Sequence, residues 1–193
     1  MLANDLETNE ASPTMKLERH FVFETIPKNL KEIIDDSNRI FTGKCIKARE
    51  IEDDPESKLP VIKYTFKVTE GIRGVKTGGE ITFKQWQPTI NGANYEVGEK
   101  YVLFLYPDSS RGLTSPVGFS QGQFSVEQKG IIRRKEVVTN KLKNIGLSRN
   151  LKTQKKINIA NKYINDYVHH CSEVGAPMIY KEFIEVVKYL AEG

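Results

Sequence analysis

The pentad Gly118-Phe119-Ser120-Gln121-Gly122 carries the Gly-x-Ser-x-Gly spacing of a nucleophile elbow. In such a turn the serine oxygen attacks a carbonyl after a neighbouring histidine has taken its proton. The context opposes that reading, because strand-like segments flank the pentad and no helix follows it. Its two glycines suit a β-turn or a bulge instead. The histidines are His20, His169 and His170. Adjacent residues on a helix diverge by about 100°, so His169 and His170 are poor partners for one metal ion, and His169 with Cys171 is no better. His169 is read as facing solvent and His170 as partly buried. Asp53, Asp54 and Glu56 crowd one segment with too sparse an oxygen pattern for calcium, and read as a solvated acidic loop. Cys45 and Cys171 each lack the second nearby thiol of a zinc site. One sits in a predicted strand and the other in a predicted helix, so two free thiols are expected unless that helix packs over that strand. These residues assign no catalytic group, no metal ligand and no cofactor.

A binding surface has more to recommend it. In Ile81-Thr82-Phe83-Lys84-Gln85-Trp86-Gln87 the period-two rule puts Ile81, Phe83 and Gln85 on one face and Thr82, Lys84 and Trp86 on the other. A tryptophan beside a lysine outside the core is a platform on which bases or sugars stack. The competing expectation is that C-terminal helices, which need apolar surface, cover Trp86. Lys84, Trp86 and Gln121 are the candidate ligand-binding residues. Charge is uneven. The segment from Lys129 to Lys162 holds 11 Lys/Arg and one acid, so it carries +10 of a net +4 and leaves the rest at −6. Such asymmetry points to an anionic partner.

The elements that would position these residues are mostly strands. Ile62 to Thr69 alternates apolar and polar without a break, which predicts a half-buried antiparallel strand with Ile62, Tyr64, Phe66 and Val68 on one face. Further strands are expected over 39–49, 80–87, 100–106, 113–119, 121–128 and 130–139. Glycine-rich turns separate several of them, and Gly71 to Gly79 reads as two such turns. Tyr101 to Tyr106 is the longest apolar run and has the length of a buried strand. Pro27 to Asp36 predicts a short helix. Ile157, Ala160, Ile164, Tyr167 or Val168, and Cys171 form a helical stripe that Gly175 ends, and Pro177 opens a last helix. Residues 1–20 read as a polar tail, 21–150 as a β domain with its leading helix, and 151–193 as a helical extension packed on it. No apolar run approaches the 18 residues of a membrane span.

Several stretches resemble a family of uncharacterised, mostly exported bacterial proteins. They are Ile40-Phe41-Thr42-Gly43-Lys44, Tyr64 to Gly74, Val97 to Leu105, Val117 to Val126 and Tyr180 to Val187. The same stretches are distantly similar to the netrin-like, tissue-inhibitor-of-metalloproteinase (TIMP-like) domains. The resemblance implies an OB-like antiparallel β-barrel, flanked by one N-terminal and two C-terminal helices, in a periplasmic or secreted protein. A chain whose native start is Met1, with no basic and apolar leader, would instead be cytoplasmic. The resemblance implies no activity. Those inhibitors bind the protease zinc through an N-terminal cysteine, and no cysteine precedes Cys45 here. The expected function is non-enzymatic binding of a protein or a cell-envelope polymer. The alternative is a nucleic-acid-binding OB fold that uses a basic surface.

Overall fold

The computed structural model describes residues 26–87, 94–130, 134–151 and 162–192. Seven strands form one antiparallel sheet in the order β3-β2-β1-β4-β5-β6-β7. They are β1 Arg39–Ile51, β2 Val61–Arg73, β3 Glu80–Trp86, β4 Lys100–Leu105, β5 Gln123–Lys129, β6 Lys135–Asn140 and β7 Met178–Ile179. Three helices accompany them, α1 Leu30–Asp35, α2 Lys162–Val174 and α3 Tyr180–Glu192, so the fold is α+β with strands predominant. The ladder stays open, with β3 and β7 at its edges. Among the described residues no helix is long and apolar enough to cross a membrane.

β4 explains how the layers meet. Its apolar run is buried on both faces, as its composition requires. Val102 and Phe104 join a core formed with Leu30, Ile33 and Ile34 of α1 and with Phe183, Val186 and Val187 of α3. Tyr101, Leu103 and Leu105 point the other way, into an aromatic core with Phe41, Tyr64, Phe66, Phe83 and Tyr95. There Phe66 stacks on Phe83 at 5.7 Å, and Tyr95 meets Tyr64 and Phe66 edge-on at 4.8 and 5.2 Å. Phe83 and Leu103 share this core although β2 and β1 stand between their strands, so the sheet bends around it. Register shifts in β1 after Ile40, Thr42 and Cys45 supply the bend. Cys45 lies in the aromatic core and Cys171 in the helical one, and both thiols are free.

Some expectations need correction. The 113–119 segment is no strand. Leu113 and Pro116 make only isolated bridges to Lys84 and Leu105, and a 3-10 helix over Phe119–Gly122 follows. Pro177 does not open α3, because Met178 and Ile179 first pair with β6. Gly71 is not in a turn, since β2 runs on to Arg73. A Cβ at Gly71 would stand 2.1 Å from the Val75 carbonyl oxygen, so the glycine permits a close backbone crossing. Residues 1–20, and Ile157 and Ala160 of the expected helical stripe, lie outside the described residues.

The extension of β2 delivers Arg73 to the ends of two helices. Its guanidinium donates to the carbonyls of Ile34 at 2.6 Å and Ser37 at 3.2 Å, at the end of α1, and to Ala191 at 3.0 Å, at the end of α3. A fixed cation at two helix C-termini satisfies orphan carbonyls and opposes both dipoles. Arg73→Ala is expected to cost about 2–3 kcal/mol, from charge-assisted bonds of about 1.5–3 kcal/mol. Arg73→Lys should recover only part of this, because an ammonium does not span both ends. Urea denaturation of the two variants checks the claim, and equal midpoints for wild type and Arg73→Ala would refute it.

Candidate functional site

The two long strands β1 and β2, with β3, set side chains in rows. Register places Arg49 opposite Lys63 and Lys63 opposite Lys84. Residues directly opposed in an antiparallel ladder project from the same face, with Cβ atoms about 5 Å apart. Tyr64 and Phe83 are buried inward, so Lys63 and Lys84, both exposed, point outward. The next outward row is Lys47, Thr65 and Thr82, with the two threonine hydroxyls 3.0 Å apart. Beyond it Lys44, Lys67 and Glu80 are opposed. These three rows thus hold six cations against one carboxylate. Among the described residues, Arg49, Lys63 and Lys84 take part in no ion pair.

Trp86 ends β3 on the same outward face and is 41% exposed. Among the described residues no helix covers it. The helices pack at the other end of the sheet, where Phe183 of α3 lies 4.8 Å from Phe124 and 6.4 Å from Phe104. The neighbour of Trp86 is Arg111, whose guanidinium carbon is 6.0 Å from the ring centroid. Arg111 is itself held by Asp54, at 2.8 Å to each carboxylate oxygen, and by Glu56 at 3.1 Å. The acidic segment is therefore not simply solvated. The Asp54 side chain is 2% exposed and also accepts from the Ser57 amide at 2.9 Å and the Ser57 hydroxyl at 2.5 Å. The Ser57 bonds and, after them, the Arg111 charge hold its carboxyl below the ordinary 3.8.

Gln121 is not beside Lys84 and Trp86. It is 2% exposed. Its Oε1 accepts from the Lys28 amide at 2.7 Å, its Nε2 donates to the Ile26 carbonyl at 3.1 Å, and its own carbonyl accepts from Asn140 at 3.2 Å. It fastens the chain leading into α1. The surrounding glycines serve the same tight turn, since a Cβ at Gly122 would stand 2.8 Å from the Val117 carbonyl oxygen. No hydrogen bond joins Ser120 to a described histidine.

A different serine meets a histidine. Ser148 Oγ is 2.8 Å from His169 Nδ1, and His169 Nε2 is 3.0 Å from Glu173 Oε1. Sequence spacing gives no hint of it, because Ser148 comes from the turn after β6. His169 is half-buried and His170 exposed, the reverse of expectation. Ser148 is 8% exposed and its amide donates to Ser172 Oγ at 2.9 Å. The contacts clasp the turn to α2. A hydrolytic role also requires oxyanion donors near Ser148, and its own amide is already engaged.

A last polar cluster lies where α3 meets the sheet. Tyr180 Oη is 3.1 Å from Thr42 Oγ1 and 2.9 Å from Glu70 Oε2, Lys188 pairs with Glu70, and Lys100 sits 4.3 Å above the Tyr180 ring. Burial pushes the Glu70 carboxyl up, but the bonds from Lys188 and Tyr180 outweigh it and leave the value below the ordinary 4.5. Asp54 and Glu70 thus both have folded values below their unfolded ones. Their contribution to stability is complete above the ordinary values and is lost as pH falls through the lowered ones. Urea midpoints should therefore hold from pH 7 to about 5 and decline below about 4. Glu70→Gln should flatten part of that decline, and an unchanged acid slope in this variant would contradict the assignment.

Among the described residues no group of three His, Cys, Asp or Glu side chains could hold a metal ion. No protein-family model matches the chain, and no curated protein matches it.

Proposed function

We propose that the chain is a non-enzymatic binding module that presents the outward face of β1, β2 and β3 to an acidic polymer. The row Arg49–Lys63–Lys84 carries the reading. Like charges directly opposed across strands destabilise a sheet, by about 0.2–1 kcal/mol per pair. Two such pairs stand side by side without a compensating carboxylate among the described residues. A local rule broken with no gain inside the fold is characteristic of a surface kept for function. Exposed Trp86 beside the row adds contact area of the kind that dominates binding.

The bent sheet is read as an OB-like barrel. Support comes from residues 113–116, which bridge edge strand β3 at Lys84 and inner strand β4 at Leu105. The resemblance to exported bacterial proteins supports a periplasmic or secreted location. Titration with heparin and with poly-L-glutamate, followed by Trp86 fluorescence at low salt, tests the reading. Saturable binding that weakens with salt is expected for at least one of them. Silence toward every polyanion would refute it.

A further inference from the structure

We infer that the acidic partner of this face is a single-stranded nucleic acid, with phosphates along the Arg49–Lys63–Lys84 row and a base stacked on Trp86. The inference rests on the binding reading above and names its ligand. Three observations carry it. First, the cations form a line across three adjacent strands, each about 5 Å from the next. A line of long, flexible cations follows a linear run of charges such as a phosphodiester backbone.

Second, Trp86 lies two residues beyond Lys84 on the same face, about 7 Å along the strand. That offset sets a flat apolar ring beside the charge line, where a base turned away from its phosphate would reach it. Trp86 is exposed enough to stack. Every base offers a π-face, so the contact needs no particular sequence.

Third, Trp86 has on its own face one cation unpaired among the described residues, Lys84, while Arg111, its charge taken up by Asp54 and Glu56, stands 6.0 Å from the ring and fixes that side of it. An acidic protein segment would use the cations but has no need of the ring. A duplex would reach the row with its phosphates while keeping its bases inside. An unpaired strand uses both parts of the surface, and so would an acidic glycan, which the heparin competitor below separates from it.

The test is fluorescence anisotropy of a labelled twelve-nucleotide oligothymidine with the full chain, over a range of salt. Unlabelled polyphosphate, poly-L-glutamate, heparin and duplex DNA serve as competitors. The oligonucleotide should outcompete all four at equal charge. Trp86→Ala should weaken it by roughly 5- to 150-fold, the effect of one base stack, and leave polyphosphate binding unchanged. Trp86→Phe should restore most of the loss. Changing Arg49, Lys63 and Lys84 together to Gln should lower the slope of log affinity against log salt by about 2, or 0.7 per phosphate for a single strand. These side chains are at the surface, so melting curves of the variants serve as the folding control. Polyphosphate binding as tightly as the oligonucleotide, with Trp86→Ala without effect, would overturn the inference and leave a charge-reading module. Preference for poly-L-glutamate or heparin would also overturn it, in favour of a protein or a glycan. Binding of none would overturn both readings.

Discussion

Replacing Asn144 with alanine is expected to lower the stability of the chain by about 3–5 kcal/mol, the upper range for one substitution. Asn144 is fully buried, with φ of 62°. Its Nδ2 donates to the carbonyls of Val138 and Ala176, each at 3.0 Å, and its Oδ1 accepts from the Asn140 amide at 3.0 Å. Asn140 returns the contact, with its Oδ1 accepting from the amides of Asn144 at 2.8 Å and Leu142 at 3.0 Å. The pair ties the end of β6 to the turn after it and to the segment before β7. Alanine removes the side-chain partners of the buried Val138 carbonyl and Asn140 amide, at about 1–3 kcal/mol each when unrelieved, and of the half-buried Ala176 carbonyl. It also places a Cβ-bearing residue without a local side-chain bond in the left-handed region, which asparagine tolerates better. A melting point lower by roughly 10 °C follows for a chain of this size. Asn144→Gly separates the two causes. It removes the backbone strain but not the lost bonds, so it should recover only about 1 kcal/mol. A loss below about 1 kcal/mol for Asn144→Ala would show that the network does not hold this corner together.

Lys63→Glu should change stability and binding in opposite directions. Lys63 is the middle of the basic row, flanked by Arg49 and Lys84. Reversing its charge turns two repulsive cross-strand pairs into attractive ones and should stabilise the fold by about 1 kcal/mol. At low salt, affinity for an acidic polymer should fall by roughly tenfold or more, since a contact is lost and a repulsion is added. The opposite signs matter, because a variant that merely damaged the fold would lose both. Melting curves and an anisotropy titration of the same sample decide it. Unaltered affinity would remove the row from the binding surface. Lower stability would mean that Lys63 has a favourable role within the fold.

Parts of the fold and of the surface were legible in the residues. The alternation from Ile62 to Thr69 marked the inward face of β2, and the apolar run of β4 marked a buried strand. Period two on β3 set Lys84 and Trp86 together on the outside. What could not be read was which residues stand opposite one another. Arg49, Lys63 and Lys84 lie on three strands, and the registers of β1 with β2 and of β2 with β3 decide their pairing. A one-residue slip would have moved the row to the other face. Gly71 read as a turn because glycine is common in turns, whereas here it admits a crossing backbone, and Arg73 was lost with it. Gln121 read as a ligand-binding residue because its partners, Ile26 and Lys28, lie more than 90 residues away. Ser148 and His169 were separated in the same way.

Lysine footprinting tests most directly whether β1, β2 and β3 form the contact surface. The chain is acetylated briefly with and without a saturating acidic polymer at low salt, and each lysine is quantified by mass spectrometry. Lys47, Lys63 and Lys84 should become protected, while Lys141 and Lys143, in the turn after β6, continue to react. Protection of Lys141 and Lys143 with Lys63 and Lys84 unchanged would contradict the account and move the surface to the basic segment beyond β5.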